Sequence, residues 1–157
     1  MQTIKKQLLI VMHAPSNNTQ RLLHALHTGA CDPAIINLHV VCKSPLQATA
    51  EDVMQADGII LATPENLGYM SGALKDFFDR IYYPVLENKQ GLPCAVLIRA
   101  GHDGTGTQRA LESILTGLRW SLTQPILVCR GEWKDAFLDQ AEELGCLMAA
   151  GLEAGIF

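Results

Sequence analysis

The chain alternates short runs of consecutive apolar residues with longer stretches in which apolar residues recur at helical spacing. Runs of the first kind are typical of strands buried on both faces, and they cover residues 7–13, 35–41, 58–63, 93–100 and 125–129. Stretches of the second kind predict helices over residues 19–27, 49–56, 71–83, about 108–118 and 134–154. We expect Pro84 to end the third of these helices. Because strands and helices alternate, we predict a mostly parallel sheet with helices on both faces.

Length, composition and charge restrict the class of protein. A chain of 157 residues with 48% hydrophobic and 18% charged residues predicts a single globular domain over residues 1–157. The net charge of −4 argues against a nucleic-acid partner, which would require a basic face. No apolar run approaches the ~20 residues that span a bilayer, so we expect no membrane partner.

The cysteines and the start of the chain bear on location. The five cysteines are widely spaced and form no CxxC pair, which predicts reduced thiols in the cytoplasm. The start MQTIKKQLLIVM is similar to a signal peptide in its two lysines and its apolar run. That run is short, and no small-residue cleavage site follows it cleanly, so we interpret it as the first strand.

Three loops are candidates for a ligand site. In open parallel sheets, ligands bind beyond the carboxyl ends of the strands, where the strand order reverses, and this rule selects residues 13–19, 63–72 and 100–107. In the first loop, Ser16, Asn18 and Thr19 offer short donors just before a helix, an arrangement that suits a phosphate group. Taken alone, the SNNT sequence is more typical of an ordinary capped turn.

Familiar nucleotide and hydrolase motifs are missing from these loops. The sequence has no GxxxxGK, no GxGxxG after the first strand and no GxSxG, which argues against P-loop, dinucleotide-fingerprint and α/β-hydrolase sites. The class of ligand that remains carries a phosphate group and a flat part. The flat part would be held between two glycine-containing loops. The second loop, PENLGYMSG, would present Tyr69 and Met70 as exposed apolar side chains to such a ligand.

The stretch TPENLGYMSGALKDFFDR, residues 63–80, resembles the second flavin loop of flavodoxin-like NAD(P)H-dependent FMN reductases and of tryptophan-repressor-binding-protein type quinone reductases. The positions that carry the resemblance are Pro64, Gly68, Met70, Gly72, Leu74, Lys75, Phe78 and Asp79. The first loop, HAPSNNT, is similar to the phosphate loop of flavodoxins, with Asn17 where that pattern prefers glycine.

The resemblance implies a flavodoxin-like three-layer sandwich with a five-stranded parallel sheet in the order 2-1-3-4-5. It also implies FMN as cofactor and NAD(P)H as co-substrate, with no metal site. On the phosphate side it implicates Ala14, Ser16, Asn17, Asn18 and Thr19. On the ring side it implicates Pro64, Glu65, Asn66, Leu67, Gly68, Tyr69, Met70, Ala100, Gly101, His102, Asp103, Gly104 and Gly106.

The resemblance implies an oxidoreductase that transfers electrons from NAD(P)H through FMN to a small acceptor, either free flavin or a quinone. The alternatives are a one-electron carrier of flavodoxin type and a flavin-sensing or partner-binding module without turnover. His102 is the candidate catalytic proton donor, against the alternative of a solvent-facing turn. Tyr69 either stacks on the ring, meets a second subunit or is an ordinary loop residue. A homodimer or homotetramer is expected from the same families.

Overall fold

The structure, a computed structural model, describes residues 5–157. Its strands are β1 (Lys6–Met12), β2 (Leu38–Lys43), β3 (Gly58–Asn66), β4 (Tyr69–Met70), β5 (Pro93–Ala100), β6 (Ser121–Leu122) and β7 (Leu127–Arg130). Its helices are α1 (Asn17–Ala30), α2 (Ala50–Gln55), α3 (Gly72–Leu86), α4 (Thr105–Leu118) and α5 (Ala136–Glu153). Residues 1–4 of the start MQTIKKQLLIVM lie outside the described residues, and β1 occupies most of the rest.

The strands form one mixed sheet in the order β2-β1-β3-β5-β6. All of its pairings are parallel except that of β4, which runs antiparallel to β3. The predicted flavodoxin-like α/β fold is confirmed, but the predicted count of five strands was wrong, since the described residues form seven. One addition is β4, and the other is β6, which pairs with the start of β5 while β7 pairs with its end. Pro125 lies between β6 and β7, where its missing N–H interrupts the edge strand.

Each face of the sheet carries its own hydrophobic core. Ile59 and Leu61 of β3 point towards a core shared with α2, α3 and α4. Ile60 and Ala62 of the same strand point towards a second core shared with α1 and α5. Because both faces of the central strands are covered, their sequences are continuously apolar, as the sequence pattern predicted.

Helix α3 continues past the proline that was expected to end it. It runs to Leu86 with Pro84 inside, so the predicted end at Tyr83 was wrong. Pro84 lies in the last turn with its ring exposed, where its missing N–H removes one backbone hydrogen bond. The next residue, Val85, is fully buried, and its packing favours the extra turn.

Candidate functional site

The three candidate loops emerge from neighbouring strands at one edge of the sheet. Strand β3 lies between β1 and β5, with Met12 opposite Ala62 and Thr63 opposite Ile98. Because the strands are parallel, the segments that follow β1, β3 and β5 leave the sheet on the same side. The structure therefore brings the predicted phosphate-side and ring-side residues to a common edge.

The first loop is organised by the capping of α1. The Ser16 hydroxyl accepts the Thr19 backbone N–H at 3.1 Å, and the Thr19 hydroxyl accepts the Ser16 N–H at 2.9 Å. Thr19 is only 3% exposed, so its hydroxyl serves the cap rather than open solvent. The backbone N–H groups of Asn17 and Asn18 lie in the first turn, where no helical carbonyl precedes them. They are the donors that this loop offers to an anion.

Arg21 adds a positive charge beside this loop, and the sequence analysis missed it. Its guanidinium donates to Asn18 Oδ1 at 3.4 Å and lies 5.2 Å from the centre of the Trp133 ring. Its acidic neighbour, Asp135, is 3.5 Å away and largely exposed. Since the first turn of α1 carries no acidic residue, the charge of Arg21 adds to the positive end of the helix dipole. The spacing of three residues from Asn18 is the signal that could have revealed Arg21.

Arg99 is a second arginine close to the same indole. Its guanidinium is 5.8 Å from the Trp133 ring centre and 5.2 Å from that of Phe137. One of its nitrogens donates to the carbonyl oxygens of Ala100 at 2.7 Å and Cys129 at 3.0 Å. Arg99 therefore ties the ends of β5 and β7 together and holds Trp133 beside the site.

His13 follows β1 directly and is half-buried. Its backbone N–H donates to the carbonyl of Ala62 at 3.3 Å, which continues the strand pairing. Its Nδ1 atom is buried and has no hydrogen-bond partner within residues 5–157. A buried nitrogen without a partner is unusual in a folded chain, and here it lies next to the candidate phosphate loop.

The second loop is a β-hairpin. Glu65 pairs with Met70 and Asn66 with Tyr69, and the two central residues have positive φ angles, 54° at Leu67 and 76° at Gly68. Two such angles define a type I′ turn, which fits the twist of paired strands. Leu67 at the tip is fully exposed, although its φ angle is costly for a leucine.

The two apolar residues of β4 have different environments. Tyr69 is 39% exposed and available at the rim of the site. Met70 is only 2% exposed and packs in the core between the sheet and helices α2–α4. The expectation that Met70 presents an exposed side chain was therefore wrong, because neighbouring residues of a strand point to opposite faces.

The base of the hairpin is held by buried hydrogen bonds. The Thr63 hydroxyl accepts the Ser71 N–H at 3.0 Å and donates to the Pro64 carbonyl at 2.8 Å. The Ser71 hydroxyl in turn caps α3 by accepting the Leu74 N–H at 3.2 Å. Thr63 and Ser71 are both fully buried, so the hairpin is fixed to the start of α3.

The third loop combines buried and exposed positions. Ala100 and Gly104 are buried, whereas Gly101, His102 and Asp103 are exposed. The Asp103 carboxylate accepts the Thr105 N–H at 3.0 Å, and this backbone hydrogen bond holds the pKa of Asp103 below its usual range. His102 makes no hydrogen bond to another described residue, so its role as a proton donor stays a prediction.

A parallel sheet covered by helices, with a capped turn after β1 and a hairpin after β3, is the arrangement of flavodoxin-like proteins. An archaeal flavodoxin superimposes with a TM-score of 0.79 at 19% identity, covering 94% of this chain and 99% of that one. A WrbA-like flavodoxin from Agrobacterium tumefaciens superimposes with a TM-score of 0.74 at 18% identity, covering 96% of this chain and 99% of that one. These two likenesses show the fold.

Sequence comparison identifies the family. The family described as NADPH-dependent FMN reductase matches residues 12–134. A flavodoxin from Aquifex aeolicus (strain VF5) is 30% identical over 112 residues, which are 71% of this chain and 60% of the relative. The chain thus spans less than two thirds of that curated relative. It belongs to the NADPH-dependent FMN reductase family, a family of FMN-binding flavodoxin-like oxidoreductases.

The length and hydropathy of the helices decide whether any of them could lie across a membrane. None of those between residues 5 and 157 is both long enough and apolar enough to cross a bilayer.

Proposed function

We propose that the protein is an FMN-dependent oxidoreductase that takes electrons from NAD(P)H and passes them to a small acceptor, free flavin or a quinone. The observation that carries this proposal is the position of the three loops, which follow adjacent parallel strands at one edge of the sheet. Membership of the NADPH-dependent FMN reductase family supports it. When bound, FMN would supply the redox chemistry, accepting a hydride from NAD(P)H and giving electrons to the acceptor.

The first loop fits the phosphate group of FMN. The exposed backbone N–H groups of Asn17 and Asn18 are neutral donors, and Arg21 supplies a charge of opposite sign to a phosphate dianion. The hydroxyls of Ser16 and Thr19 would act indirectly, since they fix the conformation of the turn through the capping box. Ala14 completes the loop.

The hairpin and the third loop fit the flat ring system. Residues 64–70 would form one wall through the backbone of Glu65, Asn66 and Gly68 and the ring of Tyr69. Residues 100–106 would form the other wall, with Gly101 leaving the backbone open to close approach. Asp103 would stay ionised at neutral pH, since its lowered pKa favours the carboxylate. His102 is the exposed residue of this loop that can give or take a proton.

A one-electron carrier of flavodoxin type is a second candidate. It is supported by the 30% identity to the Aquifex aeolicus flavodoxin. The two functions use the same FMN site and differ only in whether NAD(P)H reduces the flavin directly.

Steady-state oxidation of NADH and NADPH separates the two candidates. The purified protein, loaded with FMN and given a quinone, should oxidise at least one of the two nucleotides faster than an equal concentration of free FMN does. A rate equal to that of free FMN, together with reduction by an added ferredoxin or flavodoxin reductase, would establish the carrier instead.

We further propose that residues 1–157 act as one domain in the cytoplasm and that the chain forms a homodimer or homotetramer. The exposed apolar side chains of Leu67 and Tyr83 support association. Sedimentation across a dilution series measures it, and a monomer at every concentration would exclude it.

A further inference from the structure

A side-chain hydrogen bond connects the hairpin to helix α4. The hydroxyl of Thr107 donates to a carboxylate oxygen of Glu65 at 3.0 Å, although the two residues are 42 positions apart. Thr107 is fully buried in the first turn of α4, and Glu65 belongs to the β3 side of the hairpin. Bonds with one charged partner are stronger than neutral ones. This bond is therefore a charge-assisted contact between the two walls of the proposed ring site.

A backbone contact lies next to this bond. A Cβ atom added at Gly106 would lie 2.5 Å from the carbonyl oxygen of Gly68 at the hairpin tip. Only a residue without a side chain permits such an approach. Helix α4 thus touches the hairpin twice, at its β3 strand through Thr107 and at its turn through Gly106.

The hairpin needs such support, because its own pairing is short. Strand β4 has two residues and makes two register pairs with β3, and a two-stranded hairpin is marginally stable by itself. Its tip also carries the strained and fully exposed Leu67. The buried bonds of Thr63 and Ser71 hold the base of the hairpin, but they lie outside the turn.

We propose that Glu65 and Thr107 are positioning residues that lock the hairpin of residues 64–70 against α4 before any ligand binds. Their bond sets the distance between the two walls of the site, so that the wall formed by the hairpin is already in place for a flat ring. The consequence for ring binding rests on the proposed function, whereas the locking of the hairpin in the ligand-free protein does not.

The first experiment measures hydrogen exchange in the ligand-free protein. Thr107→Val removes the hydroxyl and keeps the shape, while Thr107→Ser keeps the hydroxyl. We expect amides of the hairpin to exchange about tenfold faster in Thr107→Val, from the size of a hydrogen bond to a charged group, and at the original rate in Thr107→Ser. Thr116→Val makes the same change at an exposed position of α4, and it should leave the hairpin unaffected.

A second pair of variants changes the other partner. Glu65→Gln keeps an acceptor oxygen but removes the charge, so its hairpin should exchange at a rate between those of the original protein and of Thr107→Val, whereas Glu65→Ala should reproduce the faster exchange of Thr107→Val. Because Glu65 is only half-buried, Glu65→Ala should fold even if Thr107→Val does not. Unchanged hairpin exchange in Glu65→Ala, or acceleration spread equally over all helices and strands, would overturn the proposal.

The third measurement compares flavin ligands. Lumiflavin carries the ring without the phosphate, so loss of the lock should weaken the binding of lumiflavin and the binding of FMN by the same factor. A loss confined to FMN would overturn the link to the ring. If the original protein binds no flavin, the proposed function fails, and the exchange experiment still decides whether the lock exists.

Discussion

At the scale of single residues, Arg21 distinguishes this site from one made of neutral donors alone. It lies beside Asn18 and Trp133, next to a helix whose first turn carries no acidic residue, and its acidic neighbour Asp135 is largely exposed. Arg21→Gln should weaken the binding of FMN about three- to tenfold, a modest factor because the Arg21 side chain is 43% exposed and solvent screens its charge. Riboflavin lacks the phosphate, so its affinity should not change. Fluorescence titration with both ligands measures this difference.

The control for Arg21→Gln is a variant that removes an arginine charge at another position of the chain. Arg119 follows the carboxyl end of α4, at the opposite edge of the sheet, and Arg119→Gln should leave both affinities unchanged. An equal loss of FMN and riboflavin affinity in Arg21→Gln would assign Arg21 a structural role instead.

Substitution of Leu67 measures the backbone strain of the type I′ turn. Its φ angle of 54° is unfavourable for leucine, and its side chain is fully exposed. Leu67→Asn would create the Asn-Gly pair that type I′ turns prefer, and should stabilise the chain by about 1 kcal/mol. Leu67→Ala keeps a strained non-glycine residue and should gain much less. Urea unfolding compares the two, and equal stability would show that the turn stores no strain.

At the scale of elements, the positions of the helices at the site depend on close packing between α1 and α5. A Cβ atom added at Gly145 of α5 would lie 2.2 Å from the carbonyl oxygen of Leu26 in α1. Gly145→Ala should therefore force the helices apart and destabilise the fold by about 1–3 kcal/mol. Gly72 opens α3 and faces free space, so Gly72→Ala should be neutral or slightly stabilising. Thermal unfolding measures the stability of both variants. An equal loss of stability in the two would contradict close packing between α1 and α5.

The elements that the sequence predicted best are the buried ones. Strands β1, β3 and β5 are unbroken apolar runs because both faces of each are covered, and that pattern is visible without any partner. The hairpin was predicted only as a loop, because Leu67 is an unusual first residue for a type I′ turn. Strand β7 was predicted from the apolar run of residues 125–129, whereas β6 was missed because it has only two residues.

The candidate site was predicted in its location but not in its contacts. Strand order places the loops at one edge, and this follows from the alternation of strands and helices. The partnership of Glu65 with Thr107 joins residues 42 positions apart, and no local spacing reveals it. Met70 was expected at the surface because the hairpin was not recognised. The pleat of strand β4 directs the Met70 side chain into the core.

At the scale of the whole molecule, the buried thiols make stability depend on alkaline pH. Burial raises the pKa of Cys129 to about 11 from 9.0, against the opposing charge of Arg99. The stability that the buried, protonated Cys129 thiol contributes is fully present below pH 9. It is lost as the pH rises towards 11, because in that range only the thiol of the unfolded chain ionises. Cys129→Ala should therefore lose less unfolding free energy between neutral and alkaline pH than the original chain. An equal fall of the unfolding free energy with pH in both proteins would contradict this.

We propose that FMN binds at the carboxyl ends of β1, β3 and β5. The most direct test is to titrate the purified, ligand-free protein with FMN and follow the flavin fluorescence. We predict a saturable change at micromolar FMN that ends at one flavin per chain. Unchanged fluorescence throughout the micromolar range would contradict the account.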